Sequence, residues 1–140
     1  MNTPVRHTTE KAANDPCRVL LIDDDQELHD TLRDAVRLDD IELKSFTQGQ
    51  PALEIARSYP VQAVLLDLSL DGPGGFTILE KLKADSQLAA IPVIILTASG
   101  STESKIKGFE LGAVDYVTKP FDLAELRARL RSVVRNKQLQ

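Results

Sequence analysis

Ala63-Val64-Leu65-Leu66-Asp67 sets four apolar residues in front of one aspartate. Turn-formers bound the run, and it is too short for a typical helix, so it reads as a strand buried on both faces. The aspartate then stands at the carboxyl end of that strand, the edge where open α/β sheets bind ligands. Two other runs end in the same way. Val19-Leu20-Leu21-Ile22 leads into Asp23-Asp24-Asp25, and Val93-Ile94-Ile95-Leu96 leads into Thr97-Ala98-Ser99. A shorter run, Tyr116-Val117-Thr118, leads into Lys119-Pro120. Parallel strands would gather these ends, placing acidic groups, a hydroxyl and a lysine around Asp67.

Helical patterns alternate with the strands. The first strand spans 18–23. Asp24 or Asp25 then caps a helix reaching about residue 38, with Leu28, Leu32, Ala35 and Val36 on one face. Residues 41–46 alternate and form a second strand nearer an edge. Gly49 and Pro51 open a second helix carrying Leu53, Ile55 and Ala56, which stops before Pro60. The third strand, 62–67, runs into a glycine-rich loop, 68–75. A third helix, 76–83, turns Ile78, Leu79 and Leu82 inward. Pro92 starts the fourth strand, which runs to residue 96. The fourth helix, 101–111, takes Gly112 as its C-cap, and 115–118 is a short fifth strand. Asp122 and Glu125 form a capping box for the last helix, whose stripe is Leu123, Leu126, Leu130 and Val133. No glycine or proline stops that helix, so it is expected to reach or pass Asn136. Five strand–helix alternations specify an α/β, doubly wound parallel sheet with helices on both faces and right-handed crossovers.

The chain has 140 residues, enough for one domain with a real core. Its net charge of −4 argues against a general nucleic-acid surface. Cys17 is the only cysteine, so no internal disulfide forms, which fits a reducing, cytoplasmic setting. No apolar stretch approaches the roughly 18 residues of a membrane span. Residues 1–16 lack the apolar segment of a secretory signal and read as a flexible tail.

Asp23-Asp24-Asp25 has two readings. Aspartate is favoured at a helix N-cap, but one is enough for a cap. Three adjacent carboxylates raise one another's pKa unless a cation sits among them, and oxygen-only ligands suit magnesium. On the triplet alone the two readings weigh equally; Asp67 tips the balance toward metal. Asp23, Asp24 and Asp67 bring three negative charges, which Mg2+ and Lys119 would balance. The Thr97 hydroxyl and the Ala98 backbone N–H are free to donate to an anion. Carboxylate, magnesium, lysine and hydroxyl together point to phosphoryl transfer, with Asp67 as nucleophile. No Walker-type loop is present, so nucleotide binding has no support.

Across residues 18–134, these features resemble the response-regulator receiver domain of two-component signalling, similar to the chemotaxis regulator. The motifs are Val-Leu-Leu-Ile-Asp-Asp-Asp, Leu-Leu-Asp-Leu-Ser-Leu with Gly75 eight residues past Asp67, Ile-Leu-Thr-Ala, and Tyr-Val-Thr-Lys-Pro-Phe. The resemblance implies a five-stranded flavodoxin-like sheet of order 2-1-3-4-5. It implies that Asp67 accepts a phosphoryl group from a phosphohistidine on a sensor histidine kinase or histidine phosphotransfer protein. Asp24, Asp67 and the Ser69 carbonyl would bind Mg2+ directly, and Asp23 mainly through water. Lys119 would bind a phosphoryl oxygen, and the Lys119–Pro120 bond would be cis. Thr97 and Tyr116 match the family's switch pair, acting on the face of the fourth helix, fifth strand and last helix. Catalysis would be limited to the domain's own phosphorylation and dephosphorylation. The family usually has proline four residues after the acceptor, where this chain has Asp71, so the loop takes a different shape. Asp25, beyond the usual pair, is a helix cap.

On this basis residues 17–136 form the receiver and 137–140 begin a linker to an output domain, through which a receiver homodimer would transmit the switch. Neither direct nucleic-acid binding nor a membrane is expected of the receiver. The competing function is a haloacid-dehalogenase-type phosphatase, which also uses Asp-x-Asp after its first strand. That reading leaves Asp67 unexplained and lacks a further acidic motif, since only Asp122 and Glu125 follow the lysine. A flavodoxin would need a Ser/Thr/Gly phosphate loop after the first strand, which is absent.

Overall fold

The computed structural model describes residues 17–70 and 74–138. The expectations for the tail at 1–16 and for Asp71 lie outside the described residues. Five parallel strands form one sheet: β1 (Cys17–Ile22), β2 (Ile41–Phe46), β3 (Ala63–Leu66), β4 (Val93–Thr97) and β5 (Asp115–Thr118). Their order is β2-β1-β3-β4-β5, as expected, and every neighbouring pair is parallel. The helices are α1 (Gln26–Val36), α2 (Gly49–Ser58), α3 (Gly75–Ala84), α4 (Thr102–Glu110) and α5 (Leu123–Gln138).

Strand alternation sorts the core into two layers. Leu20, Ile22, Val64, Leu66, Val93 and Ile95 face one side, where Leu53 of α2 and Ile78, Leu79 and Leu82 of α3 pack on them. Val19, Leu21, Ala63, Leu65, Ile94 and Leu96 face the other, against Leu32 and Val36 of α1 and Leu126 and Leu130 of α5. Both faces of β3 are therefore covered, which is why its sequence is continuously apolar rather than alternating. Leu65 and Leu66 are fully buried, and burying each contributes about 2 kcal/mol. The chain leaves β1 toward β2 on one side and reaches β3 on the other. That reversal opens a crevice at the carboxyl ends of β1 and β3.

Three local expectations are refined. The first helix stops at Val36 rather than Leu38. A 3-10 turn, Arg37–Asp39, follows, and Asp40 closes it with left-handed backbone, φ 57° and ψ 38°. The Asp39 carboxylate holds this turn against α5. Arg127 grips it with Nε at 3.0 Å and Nη2 at 3.2 Å, and Arg131 Nη1 adds a contact at 3.3 Å. Leu38 is left 75% exposed. On α5 the fully inward residues are Leu126, Leu130 and Val134, with Leu123 and Val133 half-buried at the margins. Asp122 caps α5 by accepting from the Ala124 N–H at 2.8 Å, while Glu125 turns forward to Arg129 at 3.0 Å. Glu125 is thus engaged four residues ahead instead of closing a capping box.

The arginine grip depresses the Asp39 carboxyl below its ordinary value, chiefly through the hydrogen bond from Arg127. A depressed carboxyl stabilises the fold above the unfolded pKa, and that contribution is lost as pH falls through the folded value. Asp39→Asn is expected to lower stability by about 1 kcal/mol at neutral pH in urea unfolding. The gap to wild type should close in strong acid; a gap that stays constant there would refute the ionic origin.

Candidate functional site

The sheet's hydrogen bonding continues one residue past its strands, and this aligns the polar side chains. The Asp23 N–H donates to the Phe46 carbonyl at 2.9 Å, Asp67 N–H to Ile22 at 2.9 Å, and Lys119 N–H to Thr97 at 2.8 Å. Residues following β1, β3 and β5 are thereby held on one edge beside Thr97, the last residue of β4. One carboxylate oxygen from each of Asp23, Asp24 and Asp67 lies within 4.8 Å of the others. Asp23 is fully buried and Asp67 is 4% exposed, whereas Asp24 faces solvent. The pocket thus has a closed floor and one open carboxylate at its rim.

Lys119 bridges the floor. Its Nζ lies 2.7 Å from Asp23 Oδ2 and 3.5 Å from Asp67 Oδ2. The Lys119–Pro120 peptide is cis. Asp67 Oδ1 accepts from the Ser69 N–H at 3.0 Å, and the Ser69 and Thr97 hydroxyls are 3.4 Å apart. Asp23 Oδ1 accepts from the Asp25 N–H at 2.9 Å. Asp25 in turn caps α1, accepting from the Glu27 and Leu28 N–H groups. The sequence left Asp24 and Asp25 open as caps; Asp25 takes that role, and Asp24 stays at the pocket.

Burial raises the Asp23 carboxyl above its ordinary value, the Asp67 charge adds to the rise, and Lys119 with the Asp25 N–H opposes it. An ion pair alone would lower it. The net rise means that one ammonium group does not offset complete burial beside a second carboxylate. Lys119 is pushed down by burial, but its pairing with Asp23 and Asp67 outweighs that and holds it above its usual range. Among the described residues the pocket thus carries three carboxylates to one lysine, a surplus that suits a small hard cation coordinated by oxygen.

Gly75 allows α3 to start against the acid loop. A Cβ there would stand 2.4 Å from the Asp67 carbonyl oxygen and 2.4 Å from the Leu68 Cα, both unyielding backbone atoms. Ala98 is exposed beside Thr97. Tyr116 is set apart from the carboxylates; its ring is buried in the core and its hydroxyl donates to the Ser99 carbonyl. Asp23, Asp24, Asp67, Ser69, Thr97 and Lys119 therefore share one pocket, with Tyr116 behind it. Sequence reasoning missed His29, which is 2% exposed and hydrogen-bonded through Nε2 to the Asp23 carbonyl. The available signal was its spacing with Leu32 and Val36, which places a polar ring on the apolar face of α1.

The family model for the response regulator receiver domain matches residues 19–131. The chain belongs to the response regulator receiver family. The DNA-binding dual master transcriptional regulator RpaA of Synechocystis is 37% identical over 118 residues, covering 84% of this chain and 49% of that protein. The sensory transduction protein RegX3 of Mycobacterium tuberculosis is 41% identical, covering 84% and 50%. The chain thus spans about half the length of the curated relatives it matches. Among solved structures, the receiver domain of the Francisella response regulator 1452 superposes with a TM-score of 0.79 at 30% identity, covering 87% of this chain and 98% of that one. The chain is a phosphorylation-controlled signalling receiver, and the haloacid-dehalogenase alternative is set aside.

Gly75→Ala is expected to lower stability by roughly 1–3 kcal/mol through overpacking against the backbone at Asp67 and Leu68. Urea unfolding monitored by circular dichroism measures it. An unchanged midpoint would mean that α3 does not lie on the Asp67 carbonyl in solution.

Proposed function

We propose that Asp67 is the phosphoacceptor of this receiver. An Asp67 carboxylate oxygen attacks phosphorus, the phosphorus–nitrogen bond to a kinase imidazole breaks, and the imidazole leaves with that electron pair. The observation that carries this reading is the group of three carboxylates within 4.8 Å, served by a lysine on the floor of the pocket. Asp24 at the open rim, Asp67 and the Ser69 carbonyl are the residues to hold Mg2+, with Asp23 acting through water. When bound, the ion supplies charge neutralisation for the phosphoryl oxygens. Lys119 pairs with a phosphoryl oxygen as negative charge builds on Asp67. The Thr97 hydroxyl and the Ala98 N–H donate to the remaining oxygens. The same groups give the domain its own phosphorylation and dephosphorylation and no other catalysis.

Thr97 and Tyr116 carry the signal from the pocket. Thr97 ends β4, and two residues on, the Ser99 carbonyl holds the Tyr116 hydroxyl. The Tyr116 ring stands 6.4 Å from Phe109 of α4. A shift of Thr97 toward the phosphoryl group therefore reaches α4 and β5, and the α4–β5–α5 face becomes the surface that changes. A sensor histidine kinase or phosphotransfer protein donates the phosphoryl group, and a receiver homodimer on the changed face is the output geometry. The domain spans 17–136, and 137–140 begin a linker. In support, α5 continues to Gln138 and the relatives are about twice as long. An attached output domain, not this receiver, would contact nucleic acid. No helix among the described residues is long and apolar enough to cross a membrane; we place the protein in the cytoplasm.

Incubation with magnesium and acetyl phosphate is expected to add one phosphoryl group per chain by intact-mass measurement, and Asp67→Asn to abolish the uptake. Uptake at the wild-type rate by that variant would move the acceptor elsewhere. Beryllofluoride, a mimic of the bound phosphoryl group, should shift the amide resonances of Ser99 and of residues 105–112. Identical spectra with and without it would contradict the route through Thr97 and Tyr116.

A further inference from the structure

His29 lies in the first turn of α1, on the inward face with Leu32 and Val36. Its ring is almost wholly buried, and Nε2 meets the backbone carbonyl of Asp23. A carbonyl only accepts, so Nε2 carries the hydrogen. The rest of Asp23 is held as well. Its N–H is on the Phe46 carbonyl, Oδ1 takes the Asp25 N–H, and Oδ2 takes Lys119. The His29 contact completes this set at the one backbone atom that leads on to Asp24.

Asp24 differs from its neighbours because it is exposed, so its direction depends on the backbone at either side. The Asp23 carbonyl, the Asp24 N–H and the Asp24 Cα lie in one peptide plane. Fixing the carbonyl fixes that plane. On the far side, the Asp25 N–H is tied to Asp23 Oδ1. We propose that His29 is a positioning residue for the acidic pocket, its Nε2–H locking the Asp23–Asp24 peptide so that the Asp24 carboxylate points into the site. The proposal rests on the reading of the pocket as a magnesium site. His29 then acts on the ion through a ligand, in the way that groups behind metal ligands tune affinity.

The test compares His29→Met, which fills the space without a donor, with His29→Gln, whose terminal amide restores an N–H at similar reach. Magnesium binding to the full chain is measured by calorimetry alongside thermal unfolding. His29→Met is expected to bind magnesium about ten-fold more weakly, and His29→Gln to recover most of the loss even if both variants are equally destabilised. A role in packing alone would alter stability without this split in affinity. Wild-type affinity in His29→Met, or equal losses in both variants, would overturn the proposal. Should His29→Met not fold, nitrogen-15 NMR of the wild-type imidazole decides. A hydrogen on Nε2 is expected, with a resonance that shifts when magnesium is added; a bare Nε2, or no shift, refutes the lock. A wild-type chain that binds no magnesium refutes the metal reading itself, whereas equal binding by wild type and His29→Met refutes the role of His29 alone.

Discussion

Asp23 and Asp67 lie almost completely buried, with the Lys119 ammonium group between them. Taking two carboxylates out of water is costly unless each is paired and hydrogen-bonded. Every device near the sheet edge answers that requirement. The backbone ladder runs one residue past the strands and sets the two aspartates in register. Ser69 and Asp25 each donate an N–H to a buried carboxylate oxygen. The compensation is partial, as the upward shift of Asp23 records. A receiver pocket left electrostatically short of positive charge is prepared for a cation and then for a phosphoryl group, which brings its own charge only when the cation is present.

The same constraint explains why so much of the fold is rigid and one part is not. β1, β3 and β4 are covered on both faces by apolar side chains, so the carboxylate floor has little freedom to move. Thr97 and the loop after it sit at the margin of that core. α4 is held mainly through close approach. A Cβ at Gly108 would stand 2.5 Å from Ile95 Cδ1, so only glycine lets this helix settle against β4 and the Tyr116 ring at its present distance. Of the large exposed apolar residues, Ile106, Phe109 and Val114 lie on or just after α4. The element closest to the switch residues therefore also carries apolar surface for another molecule, which joins the chemistry of the pocket to a binding face.

α1 and α5 play the opposite part. Their contact is reinforced by the Asp39 grip on Arg127 and Arg131, between residues almost ninety positions apart. This ties the backbone after α1 to the long final helix. His29, on the same α1, touches the Asp23 carbonyl. The helix that begins directly behind the acidic residues is thus anchored at both ends, near the pocket through His29 and Asp25 and at its far end through Asp39.

Much of this was legible from local pattern. Continuous apolar runs ending in Asp23, Asp67, Thr97 and Lys119 identified the strands, their burial and the edge where chemistry gathers. Backbone hydrogen bonding and side-chain alternation act over a few residues, so they leave a periodic trace in the chain. The alternation of strands and helices then restricted the topology to a doubly wound parallel sheet. What the tertiary structure alone decided was the choice among partners. Asp25 rather than Asp24 caps α1, Glu125 turns to Arg129, Asp39 ends the first helix early by meeting arginines on α5, and His29 reaches the Asp23 carbonyl. Each outcome depends on which of several chemically equivalent groups comes within about 3 Å, and that distance is set by the packing of elements far apart in sequence.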